Sequence, residues 1–161
     1  MIVTVVGKRG KGKTTLTKSL IKQNKAKRVF VLDYLFEYQD LSSKRIFVQT
    51  YDQKLSVFCR KVWFESEGSA LAVFDEVDAY GKKIPSIEYL YRFGRHKGID
   101  LIAVSRGFYD LPVMVRKLTD RFFLFQITDE RDLTYLSRFL SRDKIHQLIH
   151  LKDFEYMELT F

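Results

Sequence analysis

The stretch that decides the fold lies at the start of the chain and reads Ile2-Val3-Thr4-Val5-Val6-Gly7-Lys8-Arg9-Gly10-Lys11-Gly12-Lys13-Thr14. Its first five residues are mostly β-branched and apolar, which is typical of a short strand buried on both faces. Residues 7–14 then match the pattern G-x-x-x-x-G-K-[ST]. Glycines in such a loop let backbone N–H groups point at phosphate oxygens, and the following helix adds its positive N-terminal end. The stretch therefore predicts a strand, a phosphate-binding loop and a helix.

The residues of this loop have different expected tasks. Lys13 is expected to reach the β- and γ-phosphates of a bound nucleotide, and the Thr14 hydroxyl is expected to ligate Mg²⁺. The residues predicted to bind the nucleotide at this end of the chain are Gly7, Lys8, Arg9, Gly10, Lys11, Gly12, Lys13, Thr14 and Thr15. We therefore expect ATP and Mg²⁺ as the cofactors.

A second apolar segment, residues 71–74, ends in two acids, Asp75 and Glu76. We expect Asp75 to hold Mg²⁺ through a water molecule and to contribute to nucleotide binding. Glu76 is expected to orient and deprotonate the water that attacks the γ-phosphate. Phosphoryl transfer depends mainly on placement and charge neutralisation, and a second acid favours transfer to water over transfer to a small molecule. The acid pair therefore predicts an ATPase.

Strand-like and helix-like segments alternate along the chain. Strands are predicted over residues 2–6, 29–33, 46–50, 71–74, 101–105 and 121–128. Helices are predicted over 14–23, 52–65 and 87–96, after Pro112, and after the N-caps Asp129 and Ser141. The tail, residues 154–161, alternates as an edge strand does. This order predicts an α/β fold with a mainly parallel central sheet flanked by helices, which binds ligands at the carboxyl ends of its strands.

Composition limits the class of protein. A chain of 161 residues predicts one domain, over residues 1–161, and 46% hydrophobic with 30% charged residues excludes disorder. The single cysteine, Cys59, excludes an internal disulfide framework. No apolar run approaches the roughly 18 residues that span a bilayer, so we expect an intracellular protein without an integral membrane segment. The net charge of +8 favours a polyanionic partner.

Three further stretches, residues 33–38, 92–99 and 101–106, resemble motifs of the HerA/FtsK superfamily of DNA-pumping ATPases. Asp33-Tyr34-Leu35-Phe36-Glu37-Tyr38 resembles the motif Asp-Pro-x-Gly-Glu-Tyr that follows the second strand in that superfamily. Arg92-Phe93-Gly94-Arg95-His96-Lys97-Gly98-Ile99 resembles Arg-x-Gly-Arg-x-x-Gly, which precedes the fourth strand. Residues 101–106 stand where the superfamily has an apolar strand ending in Ser/Thr-Gln-Arg. The resemblance runs from the N-terminus to about Gln126 and implies a P-loop NTPase fold of the RecA/ASCE-like type. Beyond it, the edge strand predicted over residues 154–161 is expected to run antiparallel.

The resemblance also implies roles for particular residues. Arg95, with Arg92 as the second candidate, would be an arginine finger that reaches the γ-phosphate held by a neighbouring subunit, where a guanidinium stabilises the transition state. Ser105 would be the polar sensor at the tip of the fourth strand, and Glu37 a site residue. The chain departs from the pattern at two places: Arg106 replaces the glutamine after Ser105, and the second-strand motif lacks its proline and glycine.

Basic residues in predicted loops are the candidate DNA contacts. A translocating motor needs contacts to the DNA backbone that ignore base sequence, and lysine and arginine on loops supply them. The candidates are Lys44, Arg45, Lys82 and Lys83.

The resemblance implies a ring-forming ATPase, a hexamer or pentamer, and the short chain looks like the motors that package double-stranded DNA into a viral capsid. By resemblance, such a protein works in the cytoplasm of the host cell or on the virion, docked at a capsid vertex. Two alternatives stay open: an assembly ATPase that extrudes single-stranded DNA, as zonula-occludens-toxin-like proteins do, and a nucleotide-gated binding module without significant turnover. A small-molecule kinase is disfavoured by the acid pair and by the lack of an evident lid.

Overall fold

Strands and helices alternate through residues 1–51, 55–81 and 84–160, which the computed structural model describes. The strands are β1 (Ile2–Val6), β2 (Arg28–Asp33), β3 (Ile46–Thr50), β4 (Ala70–Phe74), β5 (Ile99–Ser105), β6 (Arg121–Leu124) and β7 (Met157–Thr160). The helices are α1 (Lys13–Gln23), α2 (Leu55–Glu65), α3 (Pro85–Phe93), α4 (Val113–Leu118), α5 (Glu130–Leu136) and α6 (Arg142–Ile149). Within these described ranges the helices are too short or too polar to span a bilayer.

The strands form one sheet in the order β3-β2-β4-β5-β1-β6-β7. Every neighbouring pair is parallel except β6 and β7, which run antiparallel at one edge. The predicted fold class is therefore confirmed, including the antiparallel edge strand near the C-terminus. Phe161, the last residue assigned to that strand from sequence, lies outside the described residues.

Helices cover both faces of the sheet, because successive residues of a buried strand point to opposite sides. On one face, Val31 and Val73 pack with Ile21 of α1. On the other face, Phe30 and Phe74 pack with residues of the remaining helices, among them Phe58 of α2. Cys59 is buried on α2, where burial raises the pKa of its thiol to about 12. Cys59 therefore packs as part of the core on this face of the sheet.

Three predicted element boundaries are corrected by the structure. The tail strand, predicted over 154–161, starts only at Met157, because Phe154 lies in a turn. The strand predicted over 121–128 ends at Leu124, because its partner β1 ends at Val6, which is paired with Leu124. The helix predicted over 87–96 starts earlier, with Pro85 in its first turn, and gives way to a 3₁₀ turn over Gly94–Lys97. Of the helix predicted over 52–65, residues 52–54 lie outside the described residues.

Four central neighbours in the sheet, β2, β4, β5 and β1, bring their carboxyl ends to one edge, which we call the carboxyl edge. Two hydrogen bonds between segments from different strands tie this edge together. The Gly7 N–H donates to the Ser105 carbonyl (3.2 Å), and the Asp75 N–H donates to the Leu32 carbonyl (3.1 Å). The phosphate-binding loop, the acid pair and the second-strand motif therefore start from adjacent points of the sheet.

Gly98 ends the 3₁₀ turn that carries Arg95, and only glycine fits there. Its φ is 68°, and a Cβ at this position would lie 2.2 Å from the carbonyl oxygen of Gly68. We expect Gly98→Ala to lower the free energy of unfolding by about 2–4 kcal/mol, because the left-handed backbone and the clash both cost free energy. Urea unfolding of the purified chain measures this loss.

Gly68→Ala is the matched control for this variant. Gly68 has a similar φ of 72°, but a Cβ there would meet nothing within 4 Å. We expect it to cost only about 1 kcal/mol, the backbone part alone. Equal losses for the two variants would contradict the assignment of a steric role to Gly98.

Candidate nucleotide-binding site

A cavity of about 180 Å³ opens at the carboxyl edge, beside the phosphate-binding loop between β1 and α1. It is lined by residues between 9 and 15, by Leu35 and Glu37 from the segment after β2, by Glu76 after β4, and by Phe154. Gly12 has a φ of 106°, and a Cβ there would lie 2.7 Å from Cδ1 of Phe154. The loop can therefore hold its curled shape only with glycine at this position.

Lys13 is buried at the start of α1, with its side chain turned back into the loop. Its Nζ donates a hydrogen bond to the carbonyl oxygen of Lys8, 3.1 Å away. Burial lowers the pKa of Lys13, and the carboxylates of Glu76 and Asp75 oppose that change. The structure thus brings the loop lysine and the acid pair together, as the two motifs predicted.

Glu37 lies beside Thr14 although it is 23 positions further along the chain. The Thr14 hydroxyl donates to Oε2 of Glu37 at 2.5 Å. The segment after β2 is shaped by the Asp33 carboxylate, which accepts hydrogen bonds from the N–H groups of Glu37 (2.9 Å) and Tyr38 (3.0 Å). Phe36, with a φ of 60°, occupies the place of the motif's glycine. The segment therefore adopts a left-handed turn even though its sequence departs from the superfamily pattern.

Asp75 is almost fully buried, with 1% of its surface exposed. Among the described residues its Oδ2 has no hydrogen-bond partner. Burial is the main cause that raises its pKa to about 7, and the nearby carboxylates of Glu76, Asp33 and Glu37 add to the rise. An unpartnered carboxylate oxygen is the type of donor that a hard cation such as Mg²⁺ prefers, and the Thr14 hydroxyl, which lines the cavity, is an oxygen donor too. The residues present therefore fit this ion.

Glu76 follows Asp75 and is buried, with a left-handed backbone at φ 49° and ψ 51°. Its Oε2 accepts a hydrogen bond from Nε of Arg106 at 2.5 Å. Burial raises the pKa of Glu76, while the positive charge of Arg106 opposes the rise. A non-glycine residue with positive φ is held there by its surroundings, and such residues concentrate at functional sites.

Ser105 and Arg106, at the end of β5, occupy different positions relative to the cavity. The Ser105 hydroxyl donates to the carbonyl of Gly107 (2.8 Å) and is committed to that local turn. Its main chain supports the loop through the hydrogen bond from Gly7. The side chain that reaches the acid pair from β5 is therefore Arg106, not Ser105.

Arg92 and Arg95 lie away from this cavity. Both are exposed at the end of α3 and in the turn before β5, and they line a separate cavity near Met1 and Asp120, at the amino ends of the strands. The seven residues of β5 separate this edge from the carboxyl edge by about 20 Å. The structure therefore does not bring either arginine to the phosphate-binding loop of the same chain.

The four residues predicted to contact DNA lie in two different environments or outside the described residues. Lys44 is exposed before β3. The guanidinium of Arg45 instead donates to the carbonyls of Asn24 (2.8 Å) and Ala26 (3.1 Å) after α1, so its hydrogen bonds go to the protein's own main chain. Lys82 and Lys83 lie outside the described residues.

Sequence reasoning missed the contacts between the phosphate-binding loop and the C-terminal part of the chain. The Lys8 ammonium donates to the Thr128 hydroxyl, and Lys11 Nζ pairs with Oδ1 of Asp153 at 2.6 Å. The N–H of Phe154 donates to the carbonyl of Lys11 (2.9 Å). Alternation in the tail predicted a strand, but no sequence signal placed the residues before that strand on the loop.

A glycine-rich loop follows the first strand of a parallel sheet, and a lysine in the loop lies near a buried acid pair. This arrangement is that of a P-loop ATPase. Residues 1–128 match the family described as an AAA domain, and the chain belongs to this family of P-loop ATPases. No curated protein sequence matches the chain.

Solved structures share the fold over nearly the whole chain. The DNA-packaging ATPase from Sulfolobus turreted icosahedral virus is 24% identical, with a TM-score of 0.79, over 99% of this chain and 91% of that one. The genome packaging NTPase from Sulfolobus turreted icosahedral virus 2, in complex with AMPPCP, gives 24% identity and a TM-score of 0.80 over the same shares. The N-terminal domain of zonular occludens toxin from Neisseria meningitidis is 17% identical, with a TM-score of 0.55, over 81% and 78%. The resemblance to packaging ATPases is thereby confirmed at the level of the fold.

Proposed function

We propose that this protein is an ATP-hydrolysing motor that moves double-stranded DNA into a viral capsid. The observation that carries the proposal is the burial of Asp75 and Glu76 beside Lys13 at the phosphate-binding loop. An acid pair at this place suits transfer of the γ-phosphoryl group to water. The similarity to viral packaging ATPases over almost their full length supports DNA as the substrate.

Residues of one chain perform every step of the proposed hydrolysis except the one assigned to an arginine finger. The N–H groups of the loop and Lys13 would hold the phosphates. Thr14, with Asp75 through a water molecule, would hold Mg²⁺, which would neutralise phosphate charge. Glu76 accepts a proton from the attacking water. As it does so, the water oxygen bonds to the γ-phosphorus, and the bond between the γ-phosphorus and the bridging oxygen breaks. The positive charge of Arg106 opposes the rise in the pKa of Glu76 that burial causes, and so favours the ionised form that acts as the base.

The remaining task belongs to an arginine from a neighbouring subunit. Arg95, with Arg92 as the second candidate, is exposed and too far from its own loop to act there. A head-to-tail contact between copies would bring this edge of one copy to the loop of the next, and repeated contacts of this kind close into a ring. We propose a ring of five or six copies, each a single domain over residues 1–161.

DNA is expected to be held through its backbone. The net charge of +8 supports binding to a polyanion, and we propose Lys44, Lys82 and Lys83 as contacts, leaving out Arg45 because its guanidinium binds main-chain carbonyls. The ring would dock at a capsid vertex and act in the host cytoplasm or on the virion. A motor that extrudes single-stranded DNA is the second candidate, supported by the similarity to the zonular occludens toxin domain.

DNA-stimulated hydrolysis tests this proposal. We expect double-stranded DNA to raise the rate of phosphate release, and the stimulation to fall steeply between about 50 and 200 mM salt because backbone contacts release counterions. Displacement of a third-strand oligonucleotide from a duplex, driven by ATP, would report movement along DNA. Stimulation by single-stranded DNA alone would favour extrusion, and a rate that neither DNA changes would contradict a DNA motor.

A further inference from the structure

An exposed phenylalanine ring stands on the phosphate-binding loop. Phe154 is 65% exposed, yet its ring lies so close to Gly12 that a Cβ there would be 2.7 Å from it. It lines the same cavity as the loop and Leu35. Most of the ring surface is therefore open to contact with a ligand in this cavity.

The backbone at Phe154 is held in a conformation that a bulky residue rarely adopts. Its φ is 67°, in the left-handed region that favours glycine. The turn that carries it is closed by the Lys152 N–H, which donates to Oε2 of Glu155 (2.9 Å), and by the Glu155 N–H, which donates to the Lys152 carbonyl (3.1 Å). Strain that is kept at an exposed residue points to a function.

Two contacts fix this turn to the loop rather than to the core. Oδ1 of Asp153 pairs with Nζ of Lys11 at 2.6 Å, and the Phe154 N–H donates to the Lys11 carbonyl at 2.9 Å. The ring therefore keeps its position relative to the phosphate site.

We propose that Phe154 is the platform on which the base of the bound nucleotide stacks. The inference rests on the proposed nucleotide site, because the phosphates in the loop would hold the base near the ring. Aromatic side chains stack on the π-face of any base, so this contact adds affinity without reading hydrogen bonds. It therefore favours purines, which have the larger face, over pyrimidines, with little preference between adenine and guanine.

Paired titrations with AMPPCP and with inorganic tripolyphosphate, each with Mg²⁺, separate the base contact from the phosphate contacts. We expect Phe154→Ala to weaken AMPPCP binding about 5- to 100-fold, as measured for loss of base stacking, and to leave tripolyphosphate binding within about twofold. Phe154→Trp is expected to retain the affinity of the unchanged protein. Phe154→Leu keeps an apolar group against Gly12 but has no π-face, and it is expected to behave as the alanine variant does.

Phe139→Ala is the control, since this phenylalanine is also exposed (58%) but lines a different cavity. It should change neither affinity. Equal weakening of both ligands by Phe154→Leu would mean that the ring only supports the loop, and unchanged AMPPCP binding would mean that no base rests there; either result overturns the inference. If the unchanged protein bound neither ligand, the nucleotide site itself would fail and the inference with it.

Discussion

Glu76→Gln is expected to lower the rate of ATP hydrolysis about 10²- to 10⁴-fold, the contribution typical of a positioned general base. Glutamine has nearly the same size but cannot accept a proton from water. Binding of ATP should persist, because the loop and Lys13 are unchanged. Steady-state phosphate release and nucleotide titration measure the two quantities separately.

Glu67→Gln is the matched control, since Glu67 is an exposed glutamate before β4, at the opposite end of that strand from Glu76. It should keep most of the activity. A Glu76→Gln variant that hydrolyses ATP at the normal rate would contradict the role of base. Retained DNA handling without measurable hydrolysis in the unchanged protein would instead favour a nucleotide-gated module.

The role of base also fixes the sign of the pH dependence. Burial raises the pKa of Glu76 above its ordinary value of 4.5. Because the ionised form is the active one, the hydrolysis rate should fall as the pH is lowered through this raised pKa. The fall should therefore begin at a higher pH than an exposed glutamate would give.

Arg95→Ala is expected to lower the hydrolysis rate about 10³-fold or more, the contribution typical of an arginine finger, without loss of ATP binding. The guanidinium acts only on charge that develops in the transition state, so the ground state with bound ATP is unaffected. In the unchanged protein, the rate per chain should rise with protein concentration as rings form.

Mixing two inactive variants tests whether this arginine acts between subunits. In a mixed ring, a chain with Arg95→Ala still has Glu76, and a neighbour with Glu76→Gln still has Arg95, so some sites are complete and activity should partly return. Arg142→Ala, at an exposed position on α6, is the control for loss of surface charge. Arg92→Ala shows which arginine is the finger. A rate independent of concentration, with no recovery on mixing, would contradict the ring.

Local patterns were sufficient to predict the elements and the two main motifs. The spacing of apolar residues predicts strands and helices. The phosphate-binding loop and the acid pair are each contiguous in the chain, so their chemistry can be predicted without knowledge of the fold. The adjacency of the two motifs was also predictable, since carboxyl ends of parallel strands share one edge of a sheet.

Contacts between distant segments could not be predicted, because they depend on the order of the strands in the sheet. The spacing of apolar residues along the chain does not specify that order. The hydrogen bond from Thr14 to Glu37, the ion pair of Arg106 with Glu76 and the ring of Phe154 on Gly12 each join segments that start from different strands. Arg95 lies at the opposite, amino ends of the strands because it directly precedes β5 in the chain. The sequence alone was thus sufficient to predict which chemical groups the protein carries. Which of these groups contact one another depended on strand pairing, because side chains many residues apart come together only through the packing of the whole sheet.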